Sequence, residues 1–208
     1  MSRVFIVSGT DTGIGKTTAA AMLTLALEAD YWKPIQSGTE DGTDKATVAS
    51  LTGLPAERFR PEAYVLTEPL SPHRSAELDG IEIDLARLIL PQTSRPLIVE
   101  GAGGLLVPIR RDLLQIDLFK TWSAPVILCA RTGLGTINHT LLSIEALRAR
   151  SMTLHGILFI GDDNADNMRT IAEISGARVL GRLPWLERTN AGALRDAFAR
   201  HFDLKDFT

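Results

Sequence analysis

Gly9-Thr10-Asp11-Thr12-Gly13-Ile14-Gly15-Lys16-Thr17 is the stretch of this chain whose residue types and spacing could act on a phosphate. A glycine-rich turn can aim successive backbone N–H groups at an anion, and a helix starting beside it adds the positive end of its dipole. A lysine in this place reaches the outer phosphates of a nucleotide, and the Thr17 hydroxyl is set to ligate Mg²⁺. The usual loop of this kind has four residues between its first glycine and Gly-Lys. Here five separate Gly9 from Gly15, which narrows the motif to a subclass.

Four further clusters follow apolar runs. In Pro96-Leu97-Ile98-Val99-Glu100-Gly101-Ala102-Gly103-Gly104 an apolar strand delivers a carboxylate to its end, and the glycines let the backbone pass close to something bulky. Mg²⁺ takes oxygen ligands at about 2.1 Å, with one or two carboxylates beside phosphates and water, and Glu100 fits that role. Lys33-Pro34-Ile35-Gln36-Ser37-Gly38 brings a lysine to a second strand end, where it reads equally as an anion contact or as a solvated residue. Asp44, in Gly42-Thr43-Asp44-Lys45, reads from its spacing first as a helix N-cap. Gly133-Leu134-Gly135-Thr136-Ile137-Asn138-His139 opens a helix whose first N–H groups suit a carboxylate or phosphate; His139 there is more often structural than a base. Pro184-Trp185-Leu186 offers a flat aromatic surface beside a nucleobase, or simple packing. Arg110-Arg111 reads as a solvated pair.

The elements that must carry these residues follow from periodicity. Apolar β-branched runs predict strands near Val4–Val7, Tyr31–Ile35, Leu97–Val99, Val126–Ala130, Ile157–Ile160 and Val179–Leu180. Helices are expected at Lys16–Ala29, Lys45–Thr52, Leu85–Ile89, Leu113–Trp122, Ile137–Arg150, Ala165–Ser175 and Ala191–His201. The alternation predicts an α/β fold over residues 1–208 as one domain: a doubly wound, mostly parallel sheet with helices on both faces, P-loop NTPase-like. Ligands of such a sheet gather at the carboxyl ends of its strands. Residues Pro55 to Ile83, rich in proline, read as an irregular surface excursion that shapes a site.

Composition narrows the classes. Hydrophobic residues at 45% and charged residues at 23% are ordinary for a globular chain with a full core. A net charge of −3 argues against a broad nucleic-acid surface. The apolar runs are too short to span a bilayer, so no membrane partner is expected. Nothing at the N-terminus reads as a signal peptide, and one cysteine, Cys129, sits in an apolar run as an inert core residue. These features point to a cytoplasmic home.

Taken in order, the GTDT loop with Gly15-Lys16-Thr17, Lys33-Pro34, Ser37-Gly38, the Glu100-Gly101-Ala102-Gly103-Gly104 run, Gly135-x-Ile137-Asn138-His139 and Pro184-Trp185-Leu186 resemble the dethiobiotin synthetase family. The resemblance runs from about residue 4 to the helix after the Pro-Trp-Leu turn. It implies a Mg²⁺-dependent ligase in which ATP, CO₂ and 7,8-diaminononanoate give dethiobiotin, ADP and phosphate. Lys33 and Lys16 then become catalytic candidates, with Thr12 adding a hydrogen bond at the same place. Gly13, Ile14, Gly15, Lys16, Thr17 and Thr18 would hold the nucleotide's phosphates, with Asp44, Glu100, Gly101, Ala102 and Gly103 beside them. Pro184, Trp185 and Leu186 would flank the base. Ser37 would bind the diamine. The metal would rest on Thr17, Asp44 and Glu100, which lifts Asp44 above its capping role. The resemblance also implies a homodimer, in which Gly135, Thr136, Ile137 and Asn138 cradle the substrate carboxylate across the interface.

The chain departs from that pattern in two places. The Asn-Asp pair that often follows the strand here written Gly156 to Ile160 is missing, leaving base contacts to backbone, to Asn164 or to Pro184–Leu186. The segment from Leu27 to Trp32 is short, so the first helix must join the second strand tightly. A partition-type switch ATPase is the main alternative on the same fold. Those proteins carry a signature lysine near the start of the loop, where this chain has Asp11. An amidating synthetase needs a nucleophilic cysteine that Cys129 suits poorly.

Overall fold

Apolar residues at successive strand positions, facing alternately up and down, produce a sheet buried on both sides. The computed structural model describes residues 3–207. Among them lie β1 Val4–Gly9, α1 Lys16–Ala26, β2 Asp30–Trp32, β3 Ile35–Ser37, α2 Asp44–Thr52, β4 Tyr64–Leu66, α3 Pro72–Leu78, β5 Leu97–Gly104, β6 Pro108–Arg110 and β7 Leu113–Leu114. There follow α4 Gln115–Trp122, β8 Val126–Arg131, α5 Thr136–Ala149, β9 Leu154–Ile160, α6 Ala165–Ser175, β10 Val179–Leu183 and α7 Ala191–His201. Six strands form one parallel sheet in the order β10-β9-β8-β1-β5-β2. The doubly wound fold expected from the sequence is the one observed.

Phe5, Val7, Ile98, Ile127, Cys129 and Leu158 face one side, where α1, α2 and α7 cover them. Their neighbours Ile6, Val99, Val126, Leu128, Ile157 and Phe159 face the other, under α4, α5 and α6. Cys129 is fully buried, and burial pushes its thiol up to about 12, as an inert core residue should be. The winding reverses at β1: β5 and β2 lie to one side, β8 to β10 to the other. The loops leaving β1, β5 and β8 therefore open into a common crevice.

Five local expectations need correction. The first helix stops at Ala26 instead of Ala29, because Glu28 turns to positive φ and Ala29 N–H returns to the Thr24 carbonyl at 2.9 Å, closing the short link to β2. The run expected as one strand over Tyr31–Ile35 breaks at Lys33-Pro34, where proline lacks the N–H a ladder needs, and β3 leaves the main sheet to pair with β4. Leu85 begins only a 3₁₀ turn, Leu85–Arg87, and Leu113–Leu114 pairs with β6 before α4 begins at Gln115. Residues Pro55 to Ile83 are not irregular. They hold β4, α3 and a 3₁₀ turn, Ala56–Arg58, around an apolar cluster of Ile35, Tyr64, Leu66, Ala76 and Ile83. Each element is too short for periodicity to reveal. Arg58 and Arg60 both pair with buried Asp30, and Lys45 pairs with Glu62, fastening this excursion to β2 and α2.

Candidate active site

The loop after β1 wraps the start of α1. Gly15 has φ +95, a left-handed conformation that favours glycine, and a side chain there would also sit tightly against Ile160 at 3.2 Å. Ile14 is fully buried within the core beneath the loop and can serve a ligand only through its backbone. Lys16 Nζ donates to the Asp11 carbonyl at 2.8 Å and is nearly buried. Together with Thr12, Gly13, Gly15 and Thr17 it lines a cleft of about 540 Å³, within the range of small-molecule sites.

The opposite wall carries the carboxylates. Glu100 ends the apolar part of β5 and is 1% exposed. Asp44 is the first residue of α2, not its cap: Thr43 caps the helix by accepting from Ala46 N–H, and the Gln36 side-chain oxygen accepts from Asp44 N–H at 3.0 Å. Its carboxylate is thus left for the cleft. Thr17 Oγ1 lies 2.9 Å from Asp44 Oδ1 and 2.8 Å from Glu100 Oε1. Lys33 Nζ lies 2.7 Å from Asp44 Oδ2 and 3.2 Å from Glu100 Oε1, and it donates to the Gly101 carbonyl at 3.1 Å. One hydroxyl and two carboxylates from three segments therefore converge on one point. Among the described residues no group of three or more His, Cys, Asp or Glu could hold a metal alone. A hydroxyl with two carboxylates, leaving the remaining positions to phosphate and water, is nevertheless a donor set that fits Mg²⁺.

The two lysines are tuned in opposite directions. Burial, followed by the like charge of Lys33, lowers Lys16 below the ordinary lysine value. Burial also works against a charged Lys33, but the carboxylates of Glu100 and Asp44 outweigh it and raise that lysine. Lys33 in turn holds Asp44 low, against the effect of its burial. Lys16 has no carboxylate ion-pair partner among the described residues; its ammonium bonds the Asp11 carbonyl.

Sequence reading missed several parts of this site. Gln36 lines the cleft and fixes both Asp44 and the Gly38 carbonyl. Pro69, Leu70, Ser71 and Pro72 close the far wall, so the excursion does shape the site. Tyr31 donates its hydroxyl to Glu100 Oε2 at 2.8 Å. Gln115 accepts from Ala102 N–H at 2.6 Å and donates to the Gly104 carbonyl at 3.0 Å, holding the glycine run in shape. Strand alternation could have put Tyr31 and Glu100 on one face; no sequence signal marked Gln115.

The residues expected to bind ligands do not all reach this cleft. Thr12, Gly13, Gly15, Lys16, Thr17, Lys33, Ser37, Asp44, Glu100, Ala102 and Gly103 line it. Ser37 Oγ is buried without a hydrogen-bond partner, an unusual state for a hydroxyl unless a ligand completes it. Thr18 and Gly101 are not among the residues that line the cleft. Pro184–Leu186 lies apart from it: Trp185 is exposed, within van der Waals reach of the space above Gly161. Asn164 caps α6 by accepting from Asn167 N–H. Gly135, Thr136, Ile137 and Asn138 lie at the start of α5, outside the cleft, where buried Thr136 uses its hydroxyl on the Arg131 carbonyl. The adjoining His139 lines a neighbouring groove of about 480 Å³ that shares Thr12 and Val107 with the cleft.

A parallel sheet with a glycine loop running into Lys-Thr at its reversal point, faced by strand-end carboxylates, defines a P-loop nucleotide-binding protein. Solved structures agree at the level of fold. The septum site-determining protein MinD from Pyrococcus horikoshii, complexed with Mg-ADP, superposes with a TM-score of 0.56 at 12% identity, covering 95% of this chain and 94% of that one. A putative plasmid partition protein from Borrelia burgdorferi bound to AMPPNP gives 0.56 at 15% identity, covering 98% and 92%. A family model described as an AAA domain matches residues 3–193. Sequence relatives are far nearer. The ATP-dependent dethiobiotin synthetase BioD of Rhodopseudomonas palustris strain TIE-1 is 59% identical over 207 residues, covering 100% of this chain and 98% of that protein. The protein of the same name from Agrobacterium fabrum strain C58 is 58% identical over 207 residues, with 100% and 98% covered. The chain belongs to the ATP-dependent dethiobiotin synthetase family, ligases of biotin biosynthesis.

Proposed function

We propose that this chain uses ATP to carboxylate 7,8-diaminononanoate with CO₂ and close the ureido ring of dethiobiotin. The observation that carries the reading is Lys33, held by Glu100 and Asp44 in the same cleft as Lys16 and Thr17. A neutral amine of the substrate adds to CO₂, losing a proton and leaving a carbamate. The carbamate oxygen takes the terminal phosphoryl group of ATP and ADP departs. The second amine attacks the carbonyl carbon of this mixed anhydride, the bond to phosphate breaks, and the ring closes with loss of a proton.

The phosphoryl step asks for alignment and charge neutralisation more than for a strong base. Lys16 and the loop N–H groups grip the phosphates of ATP. Lys33, kept protonated by its carboxylate neighbours, faces the carbamate and the group in transfer. The Thr12 hydroxyl adds a donor beside them, and Ser37 completes its hydrogen bonding on the diamine. Thr17, Asp44 and Glu100 would hold Mg²⁺, which when bound neutralises phosphate charge. Trp185, exposed beside Gly161, would offer its ring to the base.

A homodimer fits the same reading. Leu106 and Leu142 expose half or more of their surface beside the 480 Å³ groove, and Leu134 is fully exposed just before α5. Association over this face would bring Gly135–Asn138 of one subunit towards the acceptor cleft of the other; sedimentation analysis giving only monomer would exclude it. A switch ATPase is disfavoured because Asp11, whose carboxylate accepts from Thr12 N–H at 2.7 Å, stands where a signature lysine would be. The chemistry is tested with ¹⁸O-labelled bicarbonate. Label from the bicarbonate is expected in the released phosphate, and phosphate free of ¹⁸O would overturn the anhydride.

A further inference from the structure

The register of β2 on β5 pairs Tyr31 with Ile98, which puts Glu100 two residues further along on the same face. The phenol is fully buried in the core under α1, with Phe59 edge-on at 6.3 Å. Its hydroxyl donates to Glu100 Oε2 at 2.8 Å, and among the described residues it is the one donor on that oxygen. Glu100 Oε1 is the atom that meets Thr17 at 2.8 Å and Lys33 at 3.2 Å. The carboxylate is thus divided, one oxygen tied to the protein interior and the other presented to the cleft. Removing the phenol oxygen would leave Oε2 buried without a donor, and the group would gain by rotating towards Lys33 and Thr17.

We infer that Tyr31 is a positioning residue: its hydroxyl fixes one oxygen of Glu100 and so aims the other at the metal–nucleotide site. The inference rests on the reading above, that Glu100 with Thr17 and Asp44 holds Mg²⁺. Tyr31 touches neither metal nor substrate and acts only through Glu100. Partners of this kind orient a ligand, and their loss typically costs about 10–100-fold in metal affinity or activity.

The test is a metal titration of the folded protein, with Mn²⁺ as the probe in the presence of saturating ADP. Tyr31→Phe is expected to weaken Mn²⁺ binding by about 10-fold or more. Its affinity for ADP in EDTA should stay within about twofold of the unsubstituted protein, since no phosphate contact changes. Glu100→Gln should weaken Mn²⁺ by itself, and adding Tyr31→Phe to it should cost less than about twofold more. An unchanged Mn²⁺ affinity in Tyr31→Phe beside a weakened Glu100→Gln would overturn the inference and leave the metal site standing. The same penalty from Tyr31→Phe in both backgrounds would also overturn it. An unchanged affinity in Glu100→Gln would instead overturn the metal-site reading itself.

Should Tyr31→Phe fail to fold, the unsubstituted chain carries the test, because it has only two tyrosines, Tyr31 and Tyr64. With both as 3-fluorotyrosine, adding Mg²⁺ to the ADP complex should move the Tyr31 fluorine resonance and leave that of Tyr64, assigned with Tyr64→Phe. A Tyr31 resonance that stays in place would contradict the coupling.

Discussion

Lys16 and Lys33 line one cleft, both nearly buried, and the protein treats them in opposite ways. Lys16 rises from a contiguous loop and bonds one carbonyl; burial, and after it the like charge of Lys33, hold its ammonium low. Lys33 is gathered in by two carboxylates from α2 and β5 and is held high. The contrast separates two jobs. On the proposed function, one lysine takes the anion brought by the nucleotide, while the other is a cation already paired with two carboxylates.

The largest effects should appear in turnover. Lys16→Ala and Lys33→Ala are each expected to lower kcat/KM by about 10³-fold, the scale of losing one preorganised charge at a reacting centre. They should differ in binding. Lys16→Ala weakens ATP by calorimetry, while Lys33→Ala binds ATP nearly as before and loses kcat. Rates near those of the unsubstituted protein in either variant would break that lysine's assignment.

Stability sharpens the contrast further. Lys33→Ala leaves Glu100 and Asp44 facing each other uncompensated and should cost about 3 kcal/mol in denaturant unfolding, partly restored by Mg²⁺. Lys16→Met, which keeps an apolar stem and removes a desolvated charge, should not lower the melting temperature of the free protein. A Lys16→Met loss as large as that of Lys33→Ala would erase the distinction. Smaller again, Gln115→Ala should cost about 1 kcal/mol by freeing the half-buried amide of Ala102, with little change in ATP affinity.

The smallest effect is one of pH. Lys16 is lowered from 10.5, so in the free protein it gives up its proton at a lower pH than an ordinary lysine. A bound phosphate favours the charged form and raises it. On the alkaline side of neutrality ATP binding should therefore weaken with rising pH and take up a proton, visible as a buffer-dependent enthalpy. Lys33, raised above 10.5, contributes no such uptake, because it is charged both before and after binding. Proton uptake that survives in Lys16→Met would contradict this division.

The Lys16 half of the cleft was legible in the sequence because it is local. Strand, glycine turn, Lys-Thr and helix are consecutive, and each signal falls within one short window. The Lys33 half was legible only as fragments. Spacing alone left Lys33 open and gave Asp44 to the helix cap, since nothing local says that Thr43 takes the cap and Gln36 the amide. Long-range pairing decides it: β5 sits between β1 and β2, which brings Glu100 to both Thr17 and Lys33. The excursion over Pro55 to Ile83 stayed unread for a related reason. Its elements are held by buried ion pairs to Asp30 and by a small apolar cluster, neither of which leaves a periodic trace.

On the proposed function, these two lysines serve one carboxylation. It is tested most directly by following ¹³C-bicarbonate into product with purified protein, 7,8-diaminononanoate, ATP and Mg²⁺. Label is expected in the ureido carbon of dethiobiotin in step with ADP release, dependent on the diamine and lost in Lys33→Ala. ATP hydrolysis that proceeds without the diamine and carries no label into product would contradict it.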